Sequence, residues 1–151
     1  LYDKATLSLP SFDEAIFQSM MGTKQKVIDI ERISKETDIP LKVSRIVNPE
    51  NNTLAETEKY LEHIGKTRII RIPFRKLAND TSSWQKEEEI LQKIGAKRHS
   101  EYQWNPVYTV WNIEITLWSF SKTESKSVNL FSDGSISRSY LLNKKDIWQY
   151  N

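Results

Sequence analysis

Apolar and polar positions along the chain fall into short blocks whose period changes repeatedly. Residues 2–9 (YDKATLSL) read as a strand that Pro10 stops. Ser11-Phe12-Asp13-Glu14 has the form of a capping box, so a helix is predicted there, with Phe12, Ile16, Phe17, Met20 and Met21 on one face and Gly22 at its end. Thr53-Leu54-Ala55-Glu56 is a second such box, opening a helix whose apolar stripe is Leu54, Leu61 and Ile64 and which Gly65 closes. Ser82-Ser83-Trp84-Gln85 opens a third, with Trp84, Leu91 and Ile94 inward and Gly95 after it. The last two resemble each other at an offset of 30 residues and read as two similar helix-to-strand units.

Period-two alternation marks the strands. In residues 67–77, Arg68, Ile70, Ile72 and Phe74 share one side and Arg71, Pro73 and Arg75 the other; Pro73 lacks a ladder donor and favours an edge or a strand end. Across residues 107–120, Val107, Trp111, Ile113, Ile115 and Leu117 alternate onto one face, with Tyr108, Asn112, Glu114, Thr116 and Trp118 opposite. Residues 121–126 are a polar turn, and Asp133-Gly134 is a two-residue hairpin signal between residues 128–131 and 135–141. Residues 24–49 read equally as a strand pair (VIDIERIS, LKVSRIV) or as helices. The expected fold class is α+β, with helices packed on an antiparallel sheet that ends in a meander over residues 107–141. Its core is expected to hold Phe12, Ile16, Leu54, Leu61, Ile70, Trp84, Leu91, Trp111, Ile113 and Ile115.

Composition narrows this picture. A chain of 151 residues matches one domain spanning residues 1–151, and 38% hydrophobic with 28% charged residues is an ordinary globular balance. The net charge of +2 is too small to impose a nucleic-acid or membrane role by its field. Without cysteine there are no disulfides, no thiolate chemistry and no Cys-ligated zinc. No run of 18 apolar residues is present to span a bilayer. The chain begins at Leu1, so a tether or targeting segment before it fits the sequence.

Catalytic chemistry is sparsely represented. Of the two histidines, His63 lies on a charged helix and His99 opens a strand, neither with a triad partner nearby in sequence. No nucleophile elbow, phosphate-cradling glycine loop or paired-histidine metal spacing occurs, so no catalytic residue, metal or cofactor is expected. Glu87-Glu88-Glu89 reads as a solvated helix face. Glu124-Ser125-Lys126, with Glu114 upstream, matches part of a metal-dependent nuclease pattern that lacks its upstream aspartate. Binding chemistry is better represented, by five tryptophans and six tyrosines. Tyr108, Asn112, Glu114 and Trp118 are expected on one strand face, and Asn129, Arg138 and Tyr140 together on one side of the hairpin. Either that face docks a folded protein or helices cover it.

Two resemblances follow. Ile33-Ser34-Lys35-Glu36-Thr37-Asp38-Ile39-Pro40, then Val43-Ser44-Arg45-Ile46, then residues 53–65, partly resemble a helix-turn-helix repressor, although the turn is one residue short; Lys42, Arg45 and Asn48 would then read DNA. The segments IPLKVSRIV, RIIRIPFRKLAND, GAKR, VYTVWNIEIT and VNLFSDGSISRSY, in this order, are similar to TipC-type immunity proteins of Gram-positive bacteria, which protect a producing cell from its own secreted antibacterial toxin. That resemblance implies a small α+β domain with a concave sheet, held on a membrane tether outside the cytoplasm; otherwise a cytoplasmic location is expected. It also implies a non-enzymatic protein that binds a toxin stoichiometrically without cofactor, with nucleic acid an improbable partner. A slightly basic chain suits a toxin with an acidic or neutral surface.

Overall fold

The computed structural model describes residues 4–77 and 80–119, and the backbone of residues 129–130 and 136–137. Its elements run β1 (Ala5–Ser8), α1 (Glu14–Met21), α2 (Ile30–Glu36), β2 (Leu41–Ile46), α3 (Leu54–Gly65), β3 (Arg71–Arg75), α4 (Gln85–Lys93), β4 (Lys97–Tyr102), β5 (Asn105–Val110), β6 (Ile113–Trp118), β7 (Asn129–Leu130) and β8 (Ile136–Ser137).

Local chemistry sets the helix ends. Asp13, not Ser11, caps α1 by accepting from the Ala15 and Ile16 N–H groups; Ser11 Oγ instead accepts from the Asp13 N–H at 2.8 Å. Gly22 closes α1 in the left-handed region at φ 60°. Asp29 caps α2 through the Arg32 N–H, and Thr53 caps α3 through the Glu56 N–H, as its capping box predicts. At α4 the N-cap position is Trp84, which supplies no side-chain bond.

The six main strands form one open sheet in the order β1-β2-β3-β6-β5-β4. Neighbours from β1 through β3 to β6 pair in parallel, while β5 runs antiparallel to both β6 and β4. Every strand of this sheet but β5 therefore points the same way. The expected antiparallel sheet is instead mixed, because helical crossovers join β1 to β2, β2 to β3 and β3 to β4, and such connections return the chain in parallel. The antiparallel meander is β4-β5-β6, within residues 97–118. β7 and β8 form a separate antiparallel pair; the turn at Asp133-Gly134 lies outside the described residues.

The ambiguous residues 24–49 hold one helix and one strand, α2 and β2. Positions 43–46, expected as a recognition helix in the repressor reading, lie in β2, so that reading falls. Pro40 disfavours a helical Ile39, and β-branched Val43, Ile46 and Val47 suit a sheet.

Burial corrects three core assignments. Ile70 is 56% exposed while Ile69 is buried, because β3 begins only at Arg71 and the bend before it shifts the alternation. Leu54 is 41% exposed as the first residue of α3, whose buried stripe is Thr57, Tyr60, Leu61 and Ile64. Trp111 is 57% exposed because it turns the β5–β6 hairpin: Val110 pairs with Ile113, and Trp111 takes φ 53°. Pro73 sits in an interior strand, not at an edge, and the β2–β3 ladder is correspondingly short, covering only Arg45↔Phe74 and Ile46↔Arg75.

One core cluster unites the sheet's inward residues (Val43, Ile72, Phe74, Tyr108, Ile113, Ile115 and Leu117 among them) with Phe17, Ile30, Tyr60, Leu61, Ile64 and Leu91 from the four helices. All four helices thus bury their apolar stripes against the same side of the sheet, and among the described residues its other face carries no helix. Among the described residues no helix is long and apolar enough to cross a membrane.

Candidate functional site

Strand alternation decides what the helix-free face carries. From β2 it receives Lys42, from β3 Arg71, Pro73 and Arg75, and from β6 Glu114, Thr116 and Trp118. From β5 and β4 come Val107, Ser100 and Tyr102, which complete a groove of about 560 Å³. Val107 and Pro73 are buried and form an apolar floor. The Tyr102 and Trp118 rings lie 6.0 Å apart at one end. Beside them on β2 and β3 lie Lys42, Arg71 and Arg75, with Arg75 the ladder partner of Trp118 and Arg71 that of Glu114. Partial burial, then the charges of Arg75, Lys4 and Arg71, pull the Lys42 ammonium below its ordinary pKa. Glu114, opposite Arg71 in the ladder, forms an ion pair with it, Oε1 to Nε 3.2 Å, and lies 4.0 Å from His99 Nε2.

Glu114 and Trp118 therefore share a face as expected, but Tyr108 does not join them. A two-residue turn makes Val110 and Ile113 direct partners, so the inward parity of β5 is even-numbered and that of β6 odd-numbered. Tyr108 consequently points into the core; burial first, then a hydrogen bond to Glu88, raises its pKa. Asn112 lies exposed in the turn. For Asn129 the backbone belongs to β7, and Arg138, Tyr140, Glu124 and Lys126 fall outside the described residues. Arg71, Arg75 and Tyr102 complete the face although they were not singled out from sequence. The available signal was the Arg71/Pro73/Arg75 alternation on an otherwise apolar strand.

The proposed DNA readers have other roles. Arg45 is fully buried, its guanidinium 4.4 Å from the Tyr60 ring centre and 5.0 Å from that of Phe74. It donates to Pro10 O at 3.3 Å, Thr57 Oγ1 at 3.1 Å and Asn51 O at 2.8 Å, fastening the ends of β1 and β2 to α3. Loss of water pulls its pKa down to about 10, still far above neutral, so Arg45 is a buried cation that no DNA backbone can reach. Asn48 Oδ1 accepts from the Glu50 N–H at 2.9 Å and shapes the following loop. Only Lys42 reaches solvent on a sheet face.

A second polar cluster joins the segment after β3 and the loop after β2 to the start of α4. Lys76 Nζ donates to Ser82 Oγ at 2.9 Å and Ser83 O at 2.6 Å, approaches Glu87 Oε1 at 3.2 Å and sits 4.6 Å from the Trp84 ring centre. Asn52 Nδ2 donates to the same Glu87 oxygen at 2.9 Å. Glu87, expected on a solvated face, is 4% exposed, because its position on α4 turns it inward onto Lys76. His63 is stacked on Phe12, ring centres 4.4 Å apart, and lies 3.5 Å from Glu31. Among the described residues no group of three His, Cys, Asp or Glu side chains is placed to hold a metal ion.

Comparison with family models, curated proteins and solved structures finds no match to this chain.

Proposed function

We propose that this domain is an immunity protein that neutralises a secreted antibacterial toxin by binding it stoichiometrically through the helix-free face of its sheet. One observation carries the reading: the Tyr102–Trp118 ring pair and the Lys42, Arg71 and Arg75 cations share one groove. Rigid aromatic side chains supply contact area at low entropic cost, and clustered cations favour a partner with an acidic surface. The segments resembling TipC-type immunity proteins include β2, β3 and β6, and the reading takes the groove as the concave side of the sheet and the domain as tethered outside the cytoplasm. No catalytic step or cofactor enters it.

The test is co-expression with a secreted toxin, sought among the genes beside this one. Wild-type domain should restore growth and co-purify with the toxin in a 1:1 complex. The Tyr102→Ala/Trp118→Ala double variant, folded by circular dichroism, should fail in both. A neighbouring toxin that neither binds nor is neutralised would reject the reading. Single-stranded nucleic acid also suits aromatic-and-cation sheet faces; tight oligonucleotide binding that collapses with added salt would replace the toxin by that partner.

A further inference from the structure

The groove pairs a carboxylate with one of its cations, and this arrangement bears on what the partner must look like. Glu114 occupies the ladder position directly opposite Arg71 and pairs with it at 3.2 Å, while Arg75, Lys4 and Arg71 all lie close enough to act on Lys42. Arg71 is largely exposed, and an exposed ion pair is weak, so an incoming carboxylate can exchange for Glu114 at small cost. Arg71 also offers a planar fork that a second carboxylate can take in bidentate fashion. Beside this pair lies the apolar floor of Val107 and Pro73, flanked by Tyr102 and Trp118.

We infer that Glu114 is an internal stand-in for a partner carboxylate. The partner would present an acidic segment carrying one bulky apolar side chain. Its carboxylate takes Arg71 from Glu114 while its apolar side chain lies over Val107 against the edge of the Tyr102–Trp118 pair. Glu114 lowers affinity for anions in general, so only a segment with both features binds well. This inference rests on the protein-binding reading of the same face.

The experiment uses fluorescence anisotropy of the whole chain with three probes: a Glu/Asp-rich peptide with a central Trp, the same peptide with Ser at the centre, and oligothymidylate. Glu114→Gln should tighten the Trp-centred peptide about two- to fivefold, and Arg71→Ala should loosen it by a similar factor. The Ser-centred peptide should bind at least about tenfold more weakly than its Trp counterpart. Unchanged or weaker peptide binding by folded Glu114→Gln would overturn the inference, as would equal affinity for the two peptides or preference for oligothymidylate. Tightening by Glu114→Gln in a domain that fails to neutralise the toxin would reject the toxin and keep the acidic, apolar-anchored segment. Neutralisation with a silent Glu114→Gln would do the reverse.

Discussion

Two buried cations organise the loops at the carboxyl ends of the parallel strands, and they are balanced differently. Arg45 has backbone and hydroxyl acceptors and two aromatic faces around it, whereas Lys76 has a buried carboxylate. Removing one member of a buried pair leaves the other charge uncompensated. Lys76→Ala should therefore destabilise the domain by roughly 3–5 kcal/mol, because Glu87 stays buried against Asn52 alone. Lys76→Met with Glu87→Leu removes both charges and should recover most of that loss. Urea denaturation of the three proteins checks this; a double variant as unstable as Lys76→Ala would show that the ion pair itself, not the orphaned charge, sets the cost. From sequence neither cation was legible as interior. Each is a cation beside an apolar residue, Ile46 or Leu77, as on any half-exposed strand, and what buries them is packing against residues distant in the chain, Pro10, Tyr60 and Glu87.

Among the elements, the helices were the most legible and strand phase the least. Apolar stripes located α1, α3 and α4, and at α3 the expected capping residue did so too, because both signals are local. The β5–β6 hairpin was not legible because its turn, Trp111-Asn112, contains no glycine, so the alternation reads on through residues 107–118 as one strand. That missed turn put Tyr108 on the wrong face and Trp111 in the core. Trp111 holds a left-handed conformation that costs a bulky residue about 1–2 kcal/mol, while asparagine tolerates it. Relief of that strain should offset the removal of the indole ring from beside Gly65, so Trp111→Asn is expected to change stability by no more than about 1 kcal/mol. It should also leave partner binding intact. Thermal melting checks the first statement; a fall of about ten degrees or more would show that the Trp111 ring is a packing element.

At the scale of the whole molecule, the described helices form one layer on one side of a six-stranded sheet, and the proposed groove lies on the other. The parallel order of β1, β2, β3 and β6 was invisible in sequence because each pairing joins strands separated by a helix or by the β4–β5 excursion. Part of the candidate face was visible, since Glu114 and Trp118 belong to one strand. Its cationic half was not, since Lys42, Arg71 and Arg75 share a groove with Glu114 only once β2, β3 and β6 are neighbours.

The most direct test of that face is calorimetric titration of the toxin into Trp118→Ala at low and moderate salt, with circular dichroism to confirm the fold. The account predicts a loss of about 2 kcal/mol, roughly thirtyfold in Kd, and a salt dependence no steeper than the wild type's. A folded Trp118→Ala that binds the toxin as tightly as wild type would contradict it.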